Sequence, residues 1–388
     1  MDIGIDQIGF YTPNKFVDMV DLANARNQDP NKFLIGIGQD RMAVADKTQD
    51  AVSMGINATA EYLDQVDLEQ LGLLIFATES GIDQSKSASL FVKEALNLPA
   101  RIRTFEIKEA CFALTASLQV ARDYVRAHPH HSAMIIGSDI ARYGLATAGE
   151  VTQGAGAISM LIKENPAIIA LEDGHTSHSE NINDFWRPNN LATAVVDGHY
   201  SRDVYLDFFK STFKPFLAEK QLQVSDFAGI CYHLPYTKMG YKAHKIAIEG
   251  QDDETVKRLS DNFQLSAKYS RQVGNIYTAS LYMSVLSLLE NGDLEAGDRI
   301  GFFSYGSGAM AEFFSGKVVA GYQKRLRPAL HARMLKERIR LGVGQYEDIF
   351  TEGLEAALPE NVEFTSDANH GTWYLAGQEG YVRQYKQK

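Results

Sequence analysis

The chain has 388 residues, 45% of them hydrophobic and 22% charged, which excludes a disordered polymer and allows for two domains or a duplicated one. A formal net charge of −11 excludes broad binding to nucleic acid or to an acidic membrane surface. Two cysteines cannot build a disulfide framework, and no apolar run is long enough to span a bilayer. The N-terminus, Met-Asp-Ile-Gly-Ile-Asp, lacks the basic n-region of a signal peptide, so a cytoplasmic protein is expected.

In chain order, strand and helix alternate. Ile3–Tyr11 reads as an opening strand, and Thr48–Leu63 as a helix with one apolar face. Leu71–Ala77 is a buried strand that ends abruptly in the carboxylate Glu79, and Ser87–Leu96 is a helix. Thr104–Ile107 leads into a helix that starts near Cys111 and runs to about Arg126. Its first two turns are small or apolar all round, which predicts burial. Ala133–Gly137 and Gly156–Ile162 follow as strands. Gly154-Ala155-Gly156 allows close backbone approach but lacks the context of a dinucleotide loop. Residues 166–228 break the alternation, with Asp184–Pro188, Asp197-Gly198 and two aromatic-rich helical stretches. A second apolar strand then ends in His233-Leu234-Pro235. Residues 322–388 read as peripheral helix and a final strand-like piece.

A faint internal repeat runs through this order. Thr115-Ala116-Ser117-Leu118 recurs as Thr278-Ala279-Ser280-Leu281. Each copy is preceded by an apolar strand ending at Glu79 or His233, and followed by another, Ala133–Gly137 or Arg299–Ser304. Duplication of an α/β unit explains the shared order and would place Glu79 and His233 at comparable sheet ends. Reactive groups gather beyond the C-terminal ends of strands in open α/β sheets. Cys111, Glu79 and His233 therefore form a candidate nucleophile and acid/base set. A thiol at a helix N-terminus is drawn toward the thiolate. Each residue also has a plain reading: Cys111 as inert core, Glu79 as the start of a solvated loop, His233 as a structural histidine.

These segments resemble those of bacterial 3-hydroxy-3-methylglutaryl-CoA (HMG-CoA) synthases, in the thiolase-like condensing-enzyme superfamily. The resemblance covers roughly residues 1–325 and rests on motifs in the family's order. They are Phe33–Gln39, Ala77–Ser80, Lys108–Cys111, Thr152–Ala157, Asp184–Pro188, Val196–Gly198, His233–Gly240, Val273–Thr278 and Phe303–Gly308. It implies a five-layer αβαβα thiolase-like fold of two halves. Residues 1–165 would carry Glu79 and Cys111. Residues 166–388 would carry a cap insertion at about 166–228, then His233, Asn275 and Ser307.

The reaction implied joins acetyl-CoA to acetoacetyl-CoA and water, giving HMG-CoA and CoA in the mevalonate pathway of isoprenoid biosynthesis. No metal or cofactor is implied, and a homodimer is. Cys111 would carry the acetyl group, Glu79 would take a proton from its methyl, and His233 would act on the acetoacetyl ketone. Backbone N–H groups at the start of the Cys111 helix, with Ser307 nearby, would face the thioester carbonyl. Lys238 and Lys242, four apart, resemble the family's CoA contacts; a solvated basic face is the other reading. Asn275 matches a contact to the acetoacetyl group. Asp29, Pro30, Thr152 and Ser201 match positions that touch substrate or CoA, while Tyr143, Asp139 and Asp184 match residues that orient the site.

Some positions depart from the family pattern without removing a catalytic group. Phe112 replaces a common Tyr, Val151 a Pro, Asn183 an aromatic, and Asn189-Asn190 a Thr-Gly. Three rival readings remain: a β-branching relative that takes its acetyl group from an acyl-carrier protein, a ketoacyl-carrier-protein synthase, and a non-catalytic binding protein. The ketoacyl synthases pair Cys with His-Asn or two His, and Glu79 argues against that class.

Overall fold

The computed structural model describes residues 2–355, 357–365 and 370–388. Caps written in the sequence set several helix starts. Asp50 and Ser53 form a reciprocal capping box, which begins that helix at Ala51 rather than at Thr48, and it ends at Ala60. Ser87 caps Ala88–Ala95 through the Ser89 amide. The helix after Cys111 runs Ala113–Ala127, starting two residues later than the cysteine.

One continuous run of strands crosses the molecule. Its order is Gly229–Tyr232, Arg299–Gly306, Met310–Val318, Ile169–Leu171, Ile3–Tyr11, Ala155–Glu164, Ser132–Ile140, Leu71–Ala77, Arg103–Ile107. The run divides into two similar sheets. In one, Leu71–Ala77 pairs parallel with Ser132–Ile140, which pairs antiparallel with Ala155–Glu164. In the other, Gly229–Tyr232 pairs parallel with Arg299–Gly306, which pairs antiparallel with Met310–Val318. Ile169–Leu171 joins the sheets through two paired positions on the opening strand. Outside the end strand Arg103–Ile107, most residues in these strands are buried, because helices cover both faces.

The Ala113–Ala127 and Ser280–Asn291 helices lie between the sheets, with Ala51–Ala60 and Gly198–Lys220 on the outer faces. This is the five-layer arrangement. The two copies of the repeated tetrapeptide meet at its centre. The Leu114 amide donates to Thr278 Oγ1 at 2.6 Å, and Thr115 Oγ1 bonds the Tyr282 hydroxyl at 2.8 Å. Small residues are needed there: a Cβ added at Gly137 would come within 2.5 Å of Leu114 and 3.3 Å of Ala279.

Residues 166–228 contain more than a cap. Ile169–Leu171 and Thr176–Ser179 add to the main sheet beside Met310–Val318. A short hairpin, Phe185–Trp186 with Val195–Val196, comes next. The two aromatic-rich stretches are one 23-residue helix, Gly198–Lys220, whose buried Tyr205, Phe208, Phe209, Phe213 and Phe216 share one face. In the C-terminal region, helices Pro328–Lys336 and Val343–Phe350 precede a hairpin of Trp373–Glu379 with Val382–Gln387.

His331 anchors the first of these helices. It is fully buried between Glu290, at 2.9 Å from Nδ1, and Glu61, at 3.1 Å from Nε2. The two carboxylates overcome the opposing effect of burial and raise its pKa to about 9. A histidine raised above its usual 6.5 adds stability that is complete below about 6.5 and is lost as pH rises through about 9. His331→Gln is expected to cost about 3 kcal/mol at pH 6, since it leaves two carboxylates buried without a cation. It should cost much less at pH 9.5. Urea unfolding at the two pH values checks this, and an equal loss at both would contradict it.

Candidate active site

Glu79 and Cys111 meet at the ends of neighbouring strands. The Cys111 thiol donates to Glu79 Oε1 at 3.4 Å. Asp139, fully buried on the next strand, fixes this corner. Its Oδ1 accepts from the Thr78 hydroxyl at 2.8 Å and from the Glu79 and Ser80 amides at 2.9 Å. Its Oδ2 accepts from the Thr278 amide at 3.2 Å, which ties the second repeat copy to the same point. Arg187 donates to the Glu79 carbonyl.

The electrostatics differ from the sequence expectation of a thiolate. Burial, then the Glu79 and Asp139 carboxylates, push the Cys111 thiol well above its usual range. The helix does not counter this, because it begins beyond the cysteine and its first-turn amides are taken. Phe112 N donates to Glu109 O, Ala113 N to Ala110 O, and Leu114 N to Thr278. Burial and Asp139 also raise Glu79, to about 8. At rest the pair therefore holds a thiol beside a carboxyl that titrates near physiological pH.

The turn before the nucleophile is strained. Ala110 has φ +42°, a left-handed conformation that costs a residue bearing a Cβ. Tyr277, packed against Cys111, has φ +44°. Gly306 is required where the second sheet meets this turn, since a Cβ there would lie 2.7 Å from the Phe112 amide nitrogen. Phe185, Tyr277, Ala141 and Tyr143 enclose the thiol.

The remaining candidates fall into separate groups. Asn275 donates to the Tyr143 hydroxyl at 3.2 Å, and its own amide donates to the Thr152 carbonyl at 3.1 Å. Asp184 is fully buried and accepts from Ser201 Oγ at 3.0 Å, Tyr305 at 2.7 Å and the Gly308 amide at 3.1 Å. It thus holds the Ser307 turn to the hairpin instead of capping a surface loop. His233 is 1% exposed, its Nδ1 has no hydrogen-bond partner, and its carbonyl accepts from Tyr205. Burial alone lowers its pKa to about 3, so the imidazole is neutral. Among the described residues no hydrogen bond joins it to Cys111.

A cavity of about 590 Å³ opens beside Glu79 and Ser307, lined also by Lys108, Arg142 and Arg187. Lys238, Lys242, Asp29 and Pro30 lie elsewhere. Lys238 Nζ sits 5.0 Å over the Tyr241 ring. Burial, Arg202 and Lys238 lower Lys242 while Asp203, which pairs with Arg202 at 2.6 Å, opposes them, so two lysines and one paired arginine gather here. Thr237, next to Lys238, donates to the Gly38 carbonyl, so the segment following Asp29-Pro30 abuts the start of the helix Thr237–Ala247 that carries both lysines.

Arg187, Arg142, Arg202 and Tyr277 were missed in the sequence reading. Arg187 and Tyr277 lay inside motifs already singled out. Among the described residues no cluster of His, Cys, Asp or Glu could hold a metal ion. No helix there is long and apolar enough to cross a membrane.

Known proteins share this arrangement. The model of the hydroxymethylglutaryl-coenzyme A synthase N-terminal family matches residues 1–167, and that of its C-terminal family matches 248–388. The hydroxymethylglutaryl-CoA synthase of Enterococcus faecalis is 43% identical over 94% of this chain and 95% of its own. A polyketide-biosynthesis 3-hydroxy-3-methylglutaryl-ACP synthase of Bacillus subtilis is 30% identical, over 89% of this chain and 87% of its own. A crystal structure of HMG-CoA synthase complexed with CoA superposes with a TM-score of 0.96 at 40% identity, covering all of both chains. The HMG synthase of the curacin pathway, in complex with acetyl donor-ACP, gives 0.93 at 27%, also covering both chains. This chain is an enzyme of the thiolase-like fold, and it belongs to the hydroxymethylglutaryl-CoA synthase family.

Proposed function

We propose that the enzyme condenses acetyl-CoA with acetoacetyl-CoA and water to HMG-CoA and CoA, a carbon-joining step of a mevalonate route. The observation that carries this reading is the hydrogen bond from the Cys111 thiol to Glu79. It pairs a nucleophile with a base of raised pKa, and the thiol is not paired to a histidine as the ketoacyl-synthase reading requires. Cys111 attacks the acetyl thioester as its proton passes to Glu79. CoA leaves as the thiol, taking that proton from Glu79, and the new thioester is close in energy to the old. Glu79, once deprotonated, removes a proton from the acetyl methyl, and the carbanion adds to the acceptor ketone. Neutral His233 hydrogen-bonds that ketone. His233 protonates the alkoxide that forms, and the proton that Glu79 took from the methyl replaces the one His233 gives, so the imidazole ends neutral and Glu79 ends as the carboxylate. Water then hydrolyses the Cys111 thioester. Asn275 holds the acceptor and Ser307 lies by the thioester carbonyl. The reaction draws on no metal or cofactor.

CoA is favoured as donor over a carrier protein by the higher identity to the CoA-using relative and by the neighbouring lysines Lys238 and Lys242. CoA phosphates approaching a protein of net charge −11 need such a local patch. A homodimer fits the strand Arg103–Ile107, which is partly exposed and ends the sheet with one side unpaired. The functional test is an assay of purified enzyme with both CoA thioesters, following loss of acetoacetyl-CoA and the mass of the product. HMG-CoA is expected. Turnover only with acetyl-loaded carrier protein would give the β-branching reading instead.

The lysines give a second check. Lys238→Ala with Lys242→Ala should raise KM for acetyl-CoA by roughly three- to tenfold, and wild-type KM should rise with salt. Acetyl-pantetheine, which lacks the nucleotide, should respond to neither change. An unchanged KM for acetyl-CoA in the double variant would make these lysines a solvated face.

A further inference from the structure

A second cavity, of about 660 Å³, lies at the opposite end of the sheets, where the opening strand starts and Met310–Val318 finishes. We propose that it binds a small anion bearing two linked phosphoryl groups, at a site separate from the reaction centre. Five cationic side chains line it against three carboxylates, in a protein whose net charge is −11.

The cations form two lobes. In the first, Arg122 and Arg126 both reach Asp173 Oδ1, the latter at 2.7 Å, and Lys220 adds its field to the same carboxylate. One exposed carboxylate cannot satisfy them. The Arg122 side chain is 8% exposed, whereas Asp173, which it shares with Arg126, is 80% exposed and lies at the solvent side of the pair. A ligand oxygen can take the place of Asp173 on the terminal N–H groups of Arg122 and Arg126 that face that carboxylate. In the second lobe, Arg299 grips Glu172 with two bonds, at 2.7 and 2.9 Å, while Lys317 stays 3.8 Å from the same carboxylate and 48% exposed. The first lobe suits one phosphoryl group and Lys317 the other.

The site has a direct structural route to the catalytic centre. Arg299 begins the eight-residue strand that ends at Gly306, beside Ser307 and the nucleophile turn. That strand spans roughly 25 Å. None of the residues lining this cavity belongs to the catalytic set or to the proposed CoA contacts Lys238 and Lys242.

Titration calorimetry in phosphate-free buffer tests the proposal, with inorganic pyrophosphate as probe. Wild type and the Lys238→Ala/Lys242→Ala variant should both bind it, with affinity falling as salt rises. Arg126→Gln with Lys220→Gln changes only accessible side chains and should weaken binding roughly tenfold or more. Its turnover without the anion should stay at the wild-type value. Repeating the titration with ADP in the Lys238→Ala/Lys242→Ala background separates the sources. Tighter ADP binding, lost with Arg126 and Lys220, identifies an organic diphosphate, and binding of pyrophosphate alone identifies the free anion. No saturable binding to wild type would overturn the proposal. So would affinity unchanged by the Arg126/Lys220 substitutions.

Discussion

Cys111→Ser is expected to fold normally and to lose turnover by roughly three to six orders of magnitude. Serine is nearly isosteric, and the Cys111 pocket of Phe185, Tyr277 and Ala141 asks for nothing larger. The loss comes from chemistry. The Glu79 carboxyl beside the nucleophile is strong enough to take a thiol proton but far too weak to ionise an alcohol. A hydroxyl is also the poorer partner in thioester exchange. Steady-state turnover together with a thermal melt checks both halves. A melt like wild type with substantial residual condensation would contradict the assignment.

Glu79→Gln is expected to cut condensation by on the order of a hundredfold or more, as for loss of a general base. Exchange of the acetyl methyl protons into deuterated water should fall with it. Acetylation of Cys111 should fall less, because water can accept a thiol proton but not, at useful rates, a methyl proton. The base form of Glu79 exists above its raised pKa, so wild-type condensation should decline as pH drops through about 8. That acid limb should vanish in the variant. Stability should move the other way. The folded carboxyl keeps a proton that the unfolded chain releases, so the fold loses stability as pH rises from the usual carboxylate range toward about 8. Gln removes this loss, and Tm at neutral pH should rise by about 2–4 °C. A lower Tm and an unshifted pH profile would mean that Glu79 is structural.

Local signals carried much of the architecture. The abrupt ends of two apolar strands at Glu79 and His233 and the repeated Thr-Ala-Ser-Leu outlined the duplicated sheets, whereas the cap at Asp50, which starts its helix at Ala51, was not read. Thr176–Ser179 was not legible as strand. Its four residues are mostly polar, and it pairs because Met310–Phe313 offers an open edge. The protonation state of Cys111 was misjudged for a similar reason. Helix position is a local cue, whereas the carboxylates of Glu79 and Asp139 reach the thiol only through the tertiary fold. The left-handed turn at Ala110 had no signal at all, since alanine rarely adopts it. Arg187 stood within a quoted motif, but its bond to the Glu79 carbonyl depends on where the hairpin folds back. The grouping of Arg202 with Lys238 and Lys242 likewise depends on packing between two helices distant in sequence.

Rapid acid quench of the enzyme with labelled acetyl-CoA alone, followed by peptide mapping, tests the acetyl-Cys111 intermediate most directly. Label is expected on the peptide carrying Cys111, in wild type and in Glu79→Gln, and absent in Cys111→Ser. In wild type it should be discharged on adding acetoacetyl-CoA, and in Glu79→Gln it should persist. Label on the Cys231 peptide, or label that survives in Cys111→Ser, would contradict the account.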